Sequence, residues 1–211
     1  MRSLSLSIVH SLLILGASTS VAGEVVDNFQ KPENAARQAE RGDWQIGDGQ
    51  AHCVSDPELY KQYKNHGPIL KWPHEFKEGT IEFQMKPSDC QRVVFTLNGD
   101  GHVFRVTLAD ETPQAAAGPS KVPTRMIAWA TKSSKQNKGD TMKPADMPEL
   151  SGLNNDWVQV RLEINDSQAR LKINDFETKV DHSALLRDKS MVMITFAHGE
   201  LTVRDFRLQT P

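Results

Sequence analysis

The stretch GTIEFQMKPSDCQRVVFTLNGDGHVFRVTLA, residues 79–109, decides the fold class. In its first part the apolar residues Ile81, Phe83 and Met85 alternate with polar ones, which is the period-two pattern of a half-buried strand. Residues 102–109 repeat this alternation, and the Asn-Gly-Asp-Gly sequence at 98–101 favours a tight turn because its residues tolerate positive φ. The stretch therefore predicts a meander of three consecutive strands.

The same alternation returns in the C-terminal third of the chain. Residues 157–165 place four aliphatic side chains on one face, and turns at 165–167 and 174–175 lead into a further strand and out of it. Two last strands, 191–197 and 201–208, are predicted to form a hairpin. The pattern of about eleven or twelve strands without alternating helices predicts an all-β fold, an antiparallel two-sheet β-sandwich of jelly-roll type.

Several connections are less regular. A strand at 67–72 is expected to stop at Pro73, and 56–65 fits either a helical turn or an irregular crossing loop. The segment 132–155 is rich in lysine, glycine and proline, so it fits a binding loop, a lid or plain disorder.

The N-terminal segment has the features of a secretory signal peptide. Arg2 precedes an apolar run at 4–17 that is too short to span a bilayer, and the small residues Ser20 and Ala22 fit a signal peptidase site. We therefore expect residues 1–22 to be removed and residues 23–211 to form one domain without a membrane span, secreted or periplasmic. An uncleaved N-terminal anchor is the alternative.

Composition excludes several classes of partner. The formal net charge is −2, with 25 basic and 27 acidic residues, so there is no basic field to attract nucleic acid. The histidines lack the close spacing of a metal site, and no phosphate loop, dinucleotide fingerprint or nucleophile elbow is present. The sequence predicts no nucleic-acid partner, no metal and no cofactor.

The two cysteines leave two interpretations open. Cys53 and Cys90 are an even pair in a chain expected to reach an oxidising compartment, which favours a disulfide. Both lie at predicted strand ends that need not be neighbours, so two separate thiols are the alternative.

Several strand and turn motifs together resemble a known family. They are Asp27-Asn28-Phe29, the segments 42–49, 79–83 and 156–160, the Lys-Ile-Asn-Asp turn at 172–175 and the terminal strand 201–208. In these motifs the chain resembles the concanavalin A-like jelly rolls of secreted bacterial proteins, in particular 3-keto-disaccharide hydrolase domains similar to family 16 glycoside hydrolases. The resemblance covers most of the mature chain and implies a jelly roll that acts on carbohydrate or binds it.

The catalytic motif of family 16 is absent. Those enzymes carry a Glu-x-Asp-x-Glu strand, or a variant one residue longer, whose carboxylates point into the cleft as nucleophile and acid/base. This chain has no such run, so the catalytic residues of that family are not carried over. An enzymatic activity is therefore one hypothesis among those that the resemblance allows.

Strand parity gives a set of candidate site residues. If the strands are neighbours, one polar face would combine a carboxylate, two guanidinium groups and an indole, which suit sugar hydroxyls and rings. The candidates are Glu82 as the catalytic carboxylate, with Gln84, Arg105, Thr107, Arg125 and Trp129 binding substrate. The alternative is a merely solvated outer face with an exposed Glu82–Arg105 pair.

Three functions follow from these candidates. The first is a carbohydrate-active enzyme, such as a hydrolase of a modified disaccharide, that uses Glu82. The second is a non-catalytic module that binds a glycan through the same face, which the missing carboxylate pair favours. The third is an envelope or protein-interaction domain without glycan affinity.

Overall fold

A computed structural model describes residues 23–64, 66–109, 125–130, 140–142, 153 and 155–211. Residues 109, 125–130 and 140–142 are described by their backbone alone. The predicted signal peptide at 1–22 and most of the predicted loop at 132–155 lie outside the described residues.

The described residues form fifteen strands and two short helices. The strands are β1 (Glu24–Asp27), β2 (Gln38–Glu40), β3 (Gln45–Gly47), β4 (Gln50–Val54), β5 (Ile69–Phe76), β6 (Gly79–Ser88), β7 (Arg92–Gly99), β8 (Gly101–Ala109), β9 (Arg125–Ala130), β10 (Asp140–Met142), β11 (Val158–Asn165), β12 (Gln168–Ile173), β13 (Phe176–Asp181), β14 (Lys189–Ala197) and β15 (Glu200–Gln209). The helices are α1 (Pro57–Gln62) and a 3₁₀ helix (Ser183–Leu186). Neither helix in this part of the chain has the length and apolarity needed to cross a bilayer.

The strands form two antiparallel sheets. One sheet has eight strands in the order β13-β12-β11-β6-β15-β4-β3, with β1 also paired to β15. The other has seven strands in the order β10-β9-β8-β7-β14-β5-β2. The predicted antiparallel two-sheet sandwich is confirmed.

The core lies between the two sheets. Phe83 of the eight-stranded sheet meets Phe95 of the seven-stranded sheet edge to face, with ring centroids 5.1 Å apart. Trp72 and Phe206, also from different sheets, stack with centroids 3.7 Å apart. Because these apolar side chains point inward from both sheets, the polar residues that alternate with them point to opposite outer sides of the molecule.

The predicted three-strand meander is wrong at its first turn. β6 belongs to the eight-stranded sheet, whereas β7 and β8 are paired in the seven-stranded sheet. Residues 89–91 therefore carry the chain from one sheet to the other. The β7–β8 hairpin itself is confirmed, as are the hairpins β11–β12 and β12–β13.

The predicted C-terminal hairpin is wrong for the same reason. β14 pairs with β5 and β7, while β15 pairs with β4, β6 and β1 in the other sheet. His198 and Gly199 both have positive φ, at 60° and 61°, and Gln91 donates a hydrogen bond to Ala197 O. The crossing from β6 to β7 thus lies beside the crossing from β14 to β15. Each crossing contains turn residues that also occur in hairpins.

Two further predictions change in detail. β5 continues through Pro73 to Phe76, because β2 pairs only with residues 69–71 and leaves the edge beside Pro73 without a ladder partner. Of the two alternatives for 56–65, the helical turn is confirmed. Asp56 caps α1 by accepting from the backbone N–H of Glu58.

Of the two interpretations of the cysteines, the structure agrees with two separate thiols, because Cys53 and Cys90 are both free and buried in the core. Cys53 donates to its neighbour Val54 O, and Cys90 donates to Glu200 O at 2.9 Å. Burial raises the pKa of each thiol to about 12, which disfavours the thiolate needed for oxidation.

Candidate functional site

The predicted carboxylate Glu82 lies on the outer face of the eight-stranded sheet. Its strand β6 pairs with β11 on one side and β15 on the other. Arg161 of β11 donates to Glu82 Oε1 at 2.5 Å and to Glu163 Oε1 at 2.7 Å. These two hydrogen bonds raise the pKa of the Arg161 guanidinium, with the bond to Glu163 the larger cause. Glu82 is therefore one partner in a surface ion-pair group.

Gln84 lies on the same outer face, two residues along β6. Its side-chain oxygen accepts two hydrogen bonds from Arg204, the shorter at 2.7 Å. The Arg204 guanidinium also lies 3.8 Å above the ring centre of Trp157. Partly exposed pairs of this kind contribute about 0 to 1 kcal/mol each, so this face has the character of an ordinary solvated surface.

The predicted convergence of the candidate residues in one patch is wrong. Arg105 and Thr107 lie on β8, and Arg125 and Trp129 on β9, both in the seven-stranded sheet. Glu82 and Gln84 lie in the other sheet, whose outer face is turned to the opposite side of the sandwich. The predicted parity is confirmed within β6 and β8, but the assignment of strands to sheets depends on long-range pairing that alternation does not encode.

Two of the remaining candidates, Arg105 and Thr107, lie on the outer side of the seven-stranded sheet. We call this outer surface the seven-stranded face. It is formed by the residues that alternate along each strand with residues of the core. It comprises Gln38, Glu40, Ile69, Lys71, Pro73, Arg92, Val94, Thr96, Asn98, His102, Arg105, Thr107, Met191, Met193 and Thr195.

A hydrogen-bond chain fixes one end of this face. Arg105 Nη2 lies 2.8 Å from His102 Nε2, and His102 Nδ1 lies 2.6 Å from Asn98 Oδ1. Since the guanidinium can only donate, His102 accepts at Nε2 and donates from Nδ1 to Asn98. Burial, followed by the positive charges of Arg105 and His66, lowers the pKa of His102 and keeps the imidazole neutral. The chain thus orients Arg105 without adding a second charge.

The middle of the seven-stranded face is buried although it lies on the outer side of the sheet. Thr96 is 1% exposed, and Val94, Met193 and Ile69 are also buried. Arg105 and Thr107 remain accessible in part, and Arg92 at the end of β7 is exposed. The face therefore has buried residues at its centre and partly accessible polar groups beside them.

The backbone register relates the two candidates on β9 to the seven-stranded face. Trp129 pairs with Arg105, which in turn pairs with Thr96 of β7. Arg125 pairs with Ala109, which pairs with Arg92. The structure thus brings Arg105, Thr107, Arg125 and Trp129 into adjacent strands, and the side chains of Arg125 and Trp129 lie outside its description.

Sequence reasoning did not include His102, Asn98, Lys71 and Glu40 in the site. Asn98 and His102 flank the hairpin turn, and their four-residue spacing was explained by the turn alone. Lys71 donates to Glu40 Oε2 at 2.5 Å on the same face, near the edge of the sheet formed by β5 and β2. No local pattern could have joined that pair, because its members come from strands more than 30 residues apart. Across the described ranges, no group of three or more His, Cys, Asp and Glu residues could hold a metal ion.

No protein-family model and no curated protein matches this chain by sequence. Solved structures match its fold. A β-glucanase from Bacillus licheniformis is 12% identical with a TM-score of 0.56, covering 90% of this chain and 98% of its own. The κ-carrageenase from Pseudoalteromonas carrageenovora, solved with an oligotetrasaccharide of κ-carrageenan, is 8% identical with a TM-score of 0.57, covering 94% and 99%.

A third similar structure is the Crh5 transglycosylase, which is 10% identical with a TM-score of 0.58 and covers 89% of this chain and 84% of its own. At these identities the similarity concerns the fold alone. The fold is a jelly-roll β-sandwich, as the strand pattern predicted.

Proposed function

We propose that the protein is an exported glycan-binding module and that the seven-stranded face is its binding surface. The observation that carries the proposal is the hydrogen-bond chain Asn98–His102–Arg105 beside the buried centre of the face. An oriented guanidinium and neighbouring amide and hydroxyl groups suit the hydroxyls of a sugar, and fixing them before binding reduces the entropy lost on association.

The fold supports a carbohydrate ligand. Jelly rolls with similar structures include a glucanase, a carrageenase with a bound oligosaccharide and a transglycosylase. Sites for small ligands usually combine apolar surface with a few oriented polar groups. The backbone register places Trp129 opposite Arg105 in the adjacent strand.

Binding is favoured over hydrolysis because the residues that define the seven-stranded face contain no pair of carboxylates. Glycoside hydrolysis generally requires two carboxyl groups on either side of the scissile bond, roughly 5 to 10 Å apart. Within the residues that define the seven-stranded face, the carboxylate is Glu40, and it accepts from Lys71. Glu82 is bound to Arg161 on the other sheet.

Glycan-array and affinity measurements with matched variants test this proposal. Arg105→Gln should weaken glycan retention about tenfold or more, since hydrogen bonds from a charged donor contribute about 1.5 to 3 kcal/mol. Arg161→Gln, which removes an arginine from the opposite sheet, should change affinity less than about twofold. Equal losses for both variants, or no retained glycan at all, would contradict the assignment, and the latter would favour the interaction-domain alternative.

A hydrolase is the second candidate, favoured by the enzymes among the similar structures. Turnover assays on a panel of glycans and keto-disaccharides, with Glu82→Gln and Glu40→Gln as variants, separate it from the binding module. We expect retention without turnover. Hydrolysis abolished by either substitution would establish an enzyme and identify its carboxylate.

A further inference from the structure

The edge strand of the eight-stranded sheet, β13, has a sequence that complements itself. We infer that two copies of the chain pair through β13 in antiparallel orientation, with Thr178 of each copy at a two-fold axis, so that their eight-stranded sheets join into one continuous sheet. The inference concerns assembly and goes beyond the proposed function.

β13 lies at the end of its sheet. In the part of the chain that the structure describes, its ladder partner is β12, and the register between the two strands runs without a shift from one end to the other. The six residues of β13 include no proline. Prolines and bulges are two features by which proteins block an open sheet edge, and β13 has neither. It therefore offers an uninterrupted edge to another strand.

The backbone groups that point away from β12 belong to Glu177, Lys179 and Asp181. Antiparallel pairs alternate between residues that exchange hydrogen bonds and residues that do not. The N–H of His182 donates to Ser167 O at 2.8 Å in the row that follows β13, which fixes this alternation along the hairpin. Every second residue counted back from His182 thus bonds to β12, and the three between them turn outward. All three are exposed.

A two-fold axis at Thr178 brings complementary residues together. Glu177 then lies opposite the partner's Lys179, and the symmetry repeats this pair, so both outward-pointing residues form hydrogen-bonded pairs. On the inner side Phe176, which packs against the core, lies opposite the partner's Val180. Opposite charges and apolar side chains that face each other across two strands stabilise the pairing.

Other registers are less favourable. An axis at Lys179 would bring two lysines together and place Glu177 opposite the partner's Asp181, and an axis at Glu177 would bring two glutamates together. An axis at Val180 would place Glu177 opposite the partner's Ser183, which belongs to the 3₁₀ helix. Lysine on an edge strand opposes nonspecific pairing, so Lys179 selects the register that supplies a carboxylate.

Glu177 is oriented at this edge before any pairing. Its carboxylate lies 3.2 Å from Lys172 Nζ and 3.3 Å from Arg170 Nε, both on β12. The hydrogen bond from Lys172 is the largest cause that lowers the pKa of Glu177, and the charges of Arg170 and Lys179 act in the same direction. The carboxylate is therefore ionised at neutral pH and restrained on the exposed side of the strand.

This symmetry has a consequence for glycan binding, which rests on the proposed function. The axis is perpendicular to the joined sheet, so the outer sides of both eight-stranded sheets point one way and both seven-stranded faces point the other. Two linked binding faces on one side of a dimer increase retention on a surface with closely spaced glycans, because the second contact is intramolecular.

Sedimentation velocity without any glycan tests the assembly. A single strand pair gives a small interface, so we expect a reversible dimer that forms between about 1 μM and 1 mM. Lys179→Glu should raise the dissociation constant about tenfold or more, because glutamates then face each other at two symmetric positions. Lys86→Glu, the same change on the central strand β6, should leave it unchanged. A monomer throughout this range, or equal effects of the two variants, would overturn the inference.

A charge-swapped pair of variants tests the register. Glu177→Lys has lysines at both outward positions and Lys179→Glu has glutamates at both, so each variant should be monomeric alone. Mixed in equal amounts, they should form a heterodimer, since every lysine then faces a glutamate. Urea denaturation verifies that each variant is folded. A mixture that stays monomeric would overturn the inference, whereas a dimer that binds no glycan would contradict the proposed function alone.

Discussion

Cys53 and Cys90 show how burial decides the chemistry of a side chain. Both are fully enclosed, and burial raises the pKa of each thiol to about 12. We predict that neither thiol reacts with iodoacetamide at neutral pH in the folded protein and that both react after unfolding in urea. Intact mass should not change by two daltons on reduction. A two-dalton gain would show that a disulfide forms after all.

His102 gives a prediction about pH. Its pKa is lowered from the ordinary 6.5, chiefly by burial and then by the charge of Arg105, so below about pH 6.5 the unfolded chain binds more protons than the folded one. The free energy of unfolding should therefore decrease as the pH falls from about 7.5 to 5. Urea denaturation of His102→Gln should lose this part of the dependence, while His52→Gln on the other sheet should retain it. Equal pH profiles for wild type and His102→Gln would contradict the prediction.

The 3₁₀ helix and β14 are joined by a buried lysine. Lys189 is 1% exposed, and its ammonium donates to Leu185 O, Arg187 O and Lys77 O, the last in the turn between β5 and β6. Lys189→Met should lower the free energy of unfolding by about 2 to 4 kcal/mol, because three carbonyls lose their donor. The exposed Lys179→Met should change it by less than about 0.5 kcal/mol. A similarly small decrease in the free energy of unfolding for both variants would show that the hydrogen bonds to the carbonyls contribute little to stability.

The same lysine predicts an alkaline effect. Burial lowers the pKa of Lys189 from 10.5 to about 8, so between these values the unfolded chain binds more protons than the folded one. The stability of the wild type relative to Lys189→Met should therefore rise as the pH increases from about 8 to 10.5. Chemical denaturation of both proteins across this range measures the difference. A constant difference would mean that folding leaves the pKa of Lys189 unchanged.

A buried ion pair between Arg37 and Asp27 connects the N-terminal segment to both sheets. Arg37 contacts Asp27 at 2.9 Å, and the carboxylate also accepts from Trp72 Nε1 at 3.0 Å. Trp72 in turn stacks on Phe206 of the opposite sheet. Asp27→Asn or Arg37→Met should each lower the free energy of unfolding by about 3 to 5 kcal/mol, because each leaves a buried charge without its partner.

A double-mutant cycle is the control for this pair. The combined Asp27→Asn, Arg37→Met variant should lose less than the sum of the two single losses, since neither charge then remains buried alone. Losses that simply add would show that the two side chains stabilise the sandwich independently.

The amino-acid sequence by itself determined the class of this protein and the parity of its strands. Alternating side chains at 79–86, 102–109 and 157–165 identified which residues face the core, because one buried sheet face imposes a period of two. Local turn residues also predicted the β7–β8, β11–β12 and β12–β13 hairpins. These features depend on neighbours a few residues apart, which a single chain displays directly.

Only the tertiary structure decided which strands share a sheet. This assignment also decides which of the candidate residues lie on the same face. A crossing from β6 to β7 uses the same short polar segment as a hairpin would, so Glu82 was assigned to the face of Arg105 when it lies on the opposite one. The Asp205 bulge, with φ at 53°, likewise reverses the parity of β15 midway, so that Val203 and Phe206 both point inward. Pairing between distant strands is fixed by packing across the sandwich, and no local pattern of residues records it.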